Sequence, residues 1–238
     1  LELIFAGLEM IEKVLEKRRK VARNDKEVAK EVAVLDKVKE VLEEGKSARV
    51  LNLNDEEKKL LRSYQLLSTK PIIYVCNVNE EDAANDGADN PYVAKVREFA
   101  KDENAEVSIV SAKIEQEISE LESDEEKEDF LQMLGLSESG TDKVIKDSYK
   151  TLDLISYLTT GEMETRAWTI KDGTTAVDAA GKIHSDISRG FIKAEIVSYK
   201  DLVESGSINA AREKGLLRME GKDYIMKDGD VVNFKFNV

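Results

Sequence analysis

The sequence predicts an α/β part built on a parallel sheet and an α+β part built on a small mixed sheet, with a pair of long helices ahead of both. Three observations carry this. Residues 1–46 place apolar side chains at spacings of three and four. Two short runs rich in β-branched residues, 71–78 and 106–110, each lead into a helical pattern. Beyond residue 160 the chain changes to short segments punctuated by glycine turns. Helical periodicity, strand–helix alternation and short alternating segments are the respective signatures of these three parts.

In the first helix Ile4, Leu8, Ile11, Leu15 and Val21 form one stripe; in the second, Val28, Val32, Leu35, Val38 and Leu42 form another. A stripe on one helix face needs a cover. The short polar break at Arg23, Asn24, Asp25 and Lys26 makes the helices each other's cover, in an antiparallel, coiled-coil-like hairpin. Asn24 and Glu27 have capping-box spacing, and Gly45 is placed to end the second helix. Residues 49–53 read as a short extended piece. The helix after them is capped by Asn54 with Glu57 at its third position, and Asp55 and Glu56 suit the positive end of its dipole.

Pro71, Ile72, Ile73, Tyr74, Val75, Cys76, Asn77 and Val78 form a near-continuous apolar run, which reads as a strand buried on both faces. Residues 79–90 are acidic and loop-like. Asn90 and Pro91 open a helix whose apolar face is Val93, Val96, Phe99 and Ala100. The second run, 106–110, ends in Ser111, Ala112 and Lys113 and passes into another helix. Two strands are few for a doubly wound sheet, and the chain begins at Leu1 inside a helical pattern. The remaining strands are therefore expected to precede it. Ser123 and Glu126 set a capping box ahead of Phe130, Leu131 and Leu134, Gly135 stops that helix, and another runs from about 142 to 152.

In the last third, residues 166–170 read as a strand, and Val177, Ala180 and Ile183 mark a helix. Residues 191–199 alternate like a strand, and Ser207 caps a short helix that Gly215 ends. Segments 216–219, 222–226 and 231–238 read as strands joined by turns at Glu220-Gly221 and Asp228-Gly229. Such a sheet wraps on one helix, with Trp168 packed against it.

Composition narrows the function classes. Lys and Arg number 36 against 49 Asp and Glu, a net charge of −13, which argues against indiscriminate nucleic-acid binding and DNA specificity. No run of apolar residues is long enough to span a membrane. The lone cysteine, Cys76, cannot form an internal disulfide, and a cytoplasmic setting is the simplest expectation. No carboxylate or Cys/His group has metal-ligand spacing. Cys76 reads as a small core residue and His184, the one histidine, as structural rather than catalytic.

The local chemistry concentrates at Asn77, Val78, Asn79 and Glu80, and at Ser111, Ala112 and Lys113. Both stretches stand at the carboxyl end of a strand, where α/β sheets bind ligands. Asparagine and glutamate offer paired donors and acceptors that suit a purine edge. Backbone amides at residues 111–113 would meet a base, with the Lys113 stem along its face. By itself the Asn-x-x-Glu tetrapeptide also fits a polar strand end before an acidic loop.

The surrounding wording decides between these. Residues 74–78, 90–96 and 110–115, Ile183 to Asp186, Arg189 to Glu195, and the ending Gly221 to Tyr224 with Gly229 to Val238 resemble the YchF/Obg-like ATPase family along essentially the whole chain. Ordinary GTPases of that superfamily carry Asn-Lys-x-Asp at the first site, where the acid binds guanine; the Asn-x-x-Glu form goes with adenine. The resemblance implies a helical hairpin insertion at 1–68, the C-terminal part of a P-loop NTPase domain with connecting helices at 69–152, and a ubiquitin-like β-grasp TGS domain at 153–238. It implies a ribosome-associated ATPase using ATP and Mg²⁺, with Asn77, Val78, Glu80, Ser111, Ala112 and Lys113 as base-binding positions.

Hydrolysis in this class needs a glycine-rich loop ending in Gly-Lys-Ser/Thr, and the sequence contains none. No catalytic residue is therefore assigned, no tight nucleotide binding is expected of this chain alone, and it is expected to be inactive alone. An alternative is a nucleotide-free module that binds ribosome or RNA through the last domain and the hairpin tip. Lys17, Arg18, Arg19, Lys20 and Arg23 cluster near that tip. They suit contact with rRNA phosphates, and equally a solvated face paired to acids such as Glu16 with Lys20. Lys182, Arg189 and Lys193 are further candidate contacts.

Overall fold

A computed structural model describes residues 1–161 and 164–237, and the chain divides into two compact units, Leu1–Thr151 and Leu152–Val238. In the first unit α1 (Glu2–Ala22) and α2 (Lys26–Glu43) run antiparallel. Lys39 pairs with Glu12 at 3.0 Å and Arg19 with Asp36 at 2.6 Å, so numbers rise along one helix as they fall along the other. Their stripes meet in a core containing Ile11, Leu15, Leu35, Val38 and Leu42. The cap of α2 is Asp25, not Asn24: its carboxylate accepts from the Glu27 N–H at 2.9 Å and the Val28 N–H at 3.2 Å. Asp25 directly precedes the first helical residue, whereas Asn24 lies one residue too early. Gly45 follows α2 at φ +74°, a left-handed conformation that glycine adopts without strain.

Residues 49–53 form no strand, and the chain turns extended only from Leu51. Ala48–Val50 is a 3-10 turn, and it returns Ala48 and Leu53 into the helical core. Then come α3 (Asp55–Arg62), with the full Asn54–Glu57 capping box, and a 3-10 turn at Leu67–Thr69.

The strands β1 (Ile73–Asn77) and β2 (Glu106–Val110) pair in parallel, Ile73 opposite Glu106 and Asn77 opposite Val110. Between them lie α4 (Glu80–Ala84) and α5 (Pro91–Asp102), so the acidic 79–90 stretch holds a short helix, capped by Asn79 on the Asp82 N–H at 2.7 Å. After β2 come α6 (Ala112–Ser119), α7 (Asp124–Met133) with its Ser123–Glu126 capping box, and α8 (Gly140–Thr151). Two expectations are corrected. β1 is not covered on both faces, since Val75 is 53% exposed in this two-stranded sheet. Phe99 is exposed too, and meets Tyr74 edge-on at 5.9 Å instead of entering the core.

The second unit contains β3 (Leu154–Thr160), β4 (Thr165–Lys171), α9 (Ala176–Ile183), α10 (Ser185–Arg189), β5 (Phe191–Ser198), α11 (Tyr199–Ser205), α12 (Ile208–Glu213), β6 (Arg218–Glu220) and β7 (Asp230–Phe236). Its sheet order is β4-β3-β7-β5-β6, with β3 and β7 parallel and every other pair antiparallel. Tyr157, Ala194, Ile196 and Phe234 pack with Ala176, Ala179 and Ala180 of α9, and Trp168 lies half-buried against this cluster. Segment 222–226 is not a strand; it makes one isolated bridge, Thr175 to Ile225. The end of the expected 231–238 strand, Val238, lies outside the described residues.

Candidate functional site

The parallel register brings the carboxyl ends of β1 and β2 level, Asn77 beside Val110. Val78 extends the pairing by donating its N–H to the Val110 carbonyl at 2.8 Å. Asn77 Oδ1 then accepts from the Ala112 N–H at 3.0 Å. That amide is one of the donors an α-helix leaves unpaired in its first turn, so a side chain from one strand end caps the helix leaving the other. Ser111 is buried at the α6 N-terminus, and its hydroxyl makes no cap bond.

Glu80 opens α4 and Lys113 is the second residue of α6, and their side chains form an ion pair across the two loops. Lys113 also approaches Glu117 at 3.8 Å. The hydrogen bond and charge of Glu80 raise the Lys113 pKa. The structure thus gathers Asn77, Glu80, Ala112 and Lys113 at one sheet end, with Val78 and Ser111 shaping the backbone between them. Among the described residues the Asn77 amide nitrogen has no hydrogen-bond partner, which leaves it as a donor.

Beside this site α4, α6 and α8 frame a cavity of about 250 Å³ lined by Asp86, Ser111, Ile114, Glu115 and Lys143 among others. Asp86 pairs with Arg97 at 2.6 Å and with Lys143. Burial pushes its carboxyl up, but the two cations outweigh that and hold it below the ordinary carboxylate value. Glu115 caps α8, accepting from the Gly140 N–H at 2.7 Å and the Thr141 N–H at 3.0 Å. Sequence reading missed both acids, because their partners are cations and amides 11 to 57 residues away.

The basic cluster is mostly engaged. Arg18 pairs with Glu31 at 3.4 Å, Arg19 with Asp36 at 2.6 Å and Lys20 with Glu16 at 3.9 Å. Among the described residues Lys17 and Arg23 have no ion pair. In the second unit Arg189 pairs with Asp186 at 2.8 Å, while Lys182 and Lys193 have no ion pair among the described residues. His184 does not sit on a helix. It is extended between α9 and α10, and its Nδ1 accepts from the Asp186 N–H at 3.2 Å as the α10 cap. Cys76 is half-buried, which raises its thiol pKa. Among the described residues no group of three or more His, Cys, Asp or Glu could hold a metal ion, and no helix is long and apolar enough to cross a membrane.

Known proteins resemble this chain in sequence and fold. A family model described as YchF-GTPase_C, protein of unknown function (DUF933), matches residues 154–237. A Bacillus subtilis protein named Ribosome-binding ATPase YchF is 50% identical over 239 residues, covering 100% of this chain and 65% of that protein. The chain belongs to the YchF family. A second YchF relative of the same name, from Haemophilus influenzae, is 45% identical over 100% of this chain and 64% of its own. The solved Schizosaccharomyces pombe YchF GTPase superposes with a TM-score of 0.84 at 32% identity, over 98% of this chain and 63% of that one. A GTP binding protein from Pyrococcus horikoshii, at 20% identity and a TM-score of 0.54, shares the fold. The chain spans about 65% of the length of the YchF relatives it matches.

Proposed function

We propose that this chain supplies the base-reading and surface-contact parts of a ribosome-associated, ATP-hydrolysing P-loop NTPase. The observation that carries the reading is the 3.0 Å bond between Asn77 Oδ1 and the Ala112 N–H, at the level ends of two parallel strands. It fixes two loops at the place where such sheets bind nucleotides. The name Ribosome-binding ATPase carried by the relatives supports both halves of the proposal. Residues 1–68 then act as the helical hairpin insertion and 69–152 as the C-terminal part of the nucleotide-binding domain. Residues 153–238 act as the TGS domain. The parallel central pair β3–β7, flanked by antiparallel strands over α9, supports a β-grasp reading of it.

The residues at the site fit a purine. The free Asn77 amide suits a ring-nitrogen acceptor, and the Lys113 stem offers a surface for the ring face. ATP supplies the phosphoanhydride bond, and Mg²⁺ neutralises its phosphates when bound. Those phosphates need a glycine-rich loop that these 238 residues do not contain, so no hydrolytic step is assigned to residues of this chain. Calorimetric titration with ATP and with GTP, using protein expressed at the full length of its relatives, tests the reading. ATP binds more tightly; equal affinities sink it. Co-sedimentation with ribosomes tests the partner.

A further inference from the structure

We infer that the Lys113–Glu80 ion pair is a base-selectivity device that excludes guanine by occupying the carboxylate a guanine edge requires. The inference rests on the nucleotide reading of the site and adds to it a role for Lys113 beyond lying along the base. Guanine presents an acceptor at O6 and donors at N1–H and N2–H; adenine presents a donor amine at N6 and an acceptor at N1. Binding guanine therefore requires a carboxylate for the two donors and an N–H for O6.

Both groups are present here and both are engaged within the protein. The Glu80 carboxylate is held by the Lys113 ammonium. The Ala112 N–H donates to Asn77 Oδ1 at 3.0 Å. Guanine would have to displace an ammonium from Glu80 or leave its two donors without that carboxylate, and a missing polar contact discriminates between bases. Adenine has no N1–H and makes no demand on that carboxylate. The free Asn77 amide serves N7, which both purines share, so it adds affinity and no discrimination. Glutamate reaches Lys113 from the first turn of α4; an aspartate there, one methylene shorter, would fall back toward the base.

The test is the ratio of GTP to ATP dissociation constants, measured calorimetrically on protein at the full length of its relatives, with circular dichroism to confirm folding. In Lys113→Met the carboxylate is released, and the ratio falls by roughly two- to fivefold, the scale of a solvent-exposed ion pair. Glu80→Asp shifts it in the same direction. In the double variant Lys113→Met/Glu80→Ala the acceptor is gone and the ratio does not fall. An unchanged or raised ratio in Lys113→Met overturns the inference, as does a fall that persists in the double variant, because Lys113 would then act on the base directly. Failure of the unsubstituted protein to bind either nucleotide overturns the nucleotide reading itself, and this inference with it.

Discussion

Tyr74 donates its hydroxyl to Glu103 Oε2 at 2.6 Å, joining β1 to the residue that closes α5. The same carboxylate accepts from Ser47 Oγ at 2.6 Å and from Arg49 Nη1 at 3.0 Å, both in the segment leaving α2. The Arg49 and Glu103 side chains are only 12% and 11% exposed. One part-buried acid thus ties the helical pair to the strand that ends in Asn77.

Glu103→Gln should destabilise the first unit by about 3 kcal/mol, because it leaves the Arg49 charge buried without its counter-ion. Tyr74→Phe removes a single bond to a charged group and should cost about 1.5 kcal/mol. Urea unfolding of the chain measures both. Equal, small losses would mean that the network is solvated and carries little.

The same acid sets a pH dependence. Burial pushes the Glu103 carboxyl up, but the bonds from Ser47 and Tyr74 and the Arg49 charge outweigh it and hold it below the ordinary carboxylate range. A depressed folded pKa contributes stability that is present above the unfolded value and is lost as pH falls through the folded one. Burial pushes the Tyr74 hydroxyl up to about 12, so it remains a donor throughout. Midpoint temperatures recorded from about pH 6 to pH 3 should fall less steeply in Glu103→Gln than in the unsubstituted chain.

Gly190→Ala should destabilise the second unit. A Cβ there would stand 2.1 Å from the Asn237 carbonyl oxygen and 2.8 Å from its carbon, backbone atoms that cannot swing aside. Forced backbone shifts of this kind cost about 1–3 kcal/mol. Gly221→Ala, where nothing lies within 4 Å, is the control and should change little. Thermal unfolding followed by Trp168 fluorescence reports on this unit.

These cases show what was legible beforehand. Asn77 and Ala112 stood out because each sits at a strand end, a position visible in the local pattern; the bond between them required only the parallel register. Asn54, Asn90 and Ser123 were legible as caps for the same local reason. Glu103 was not, because its partners lie 29, 54 and 56 residues away and none has a sequence signature. Strand β3 escaped notice since Tyr157 is its one fully buried side chain, so its alternation is faint. Segment 222–226 looked like a strand by composition, but its residues make turns around a single bridge. Val75 is apolar, as a covered strand requires, yet the two-stranded sheet leaves it exposed.

Asn77→Ala should weaken ATP binding by about tenfold to a hundredfold in the full-length protein. It removes the proposed donor to the base and also frees the Ala112 N–H, loosening the two loops from one another. Asn79→Ala, which removes only the cap of α4, should act mainly on stability. Comparing ATP affinity with unfolding midpoint for the two variants separates base contact from loop support. A matched fall in both measures for Asn77→Ala would assign it to the scaffold.

The helix-pair tip gives the last expectation, on ribosome association. Arg18, Arg19 and Lys20 already face Glu31, Asp36 and Glu16, so their charges are partly neutralised within the protein. Lys17 and Arg23 carry no ion pair among the described residues, which leaves them as the more available phosphate partners of the five. The double variant Lys17→Ala/Arg23→Ala should lower ribosome co-sedimentation, and the slope of log affinity against log salt should become shallower by roughly two. Arg19→Ala, which removes a side chain bonded to Asp36 at 2.6 Å, should leave the slope nearly unchanged. The reverse ranking would mean that ribosomal phosphate displaces Asp36 on binding. An unaltered slope in both variants would move the contact surface away from this tip.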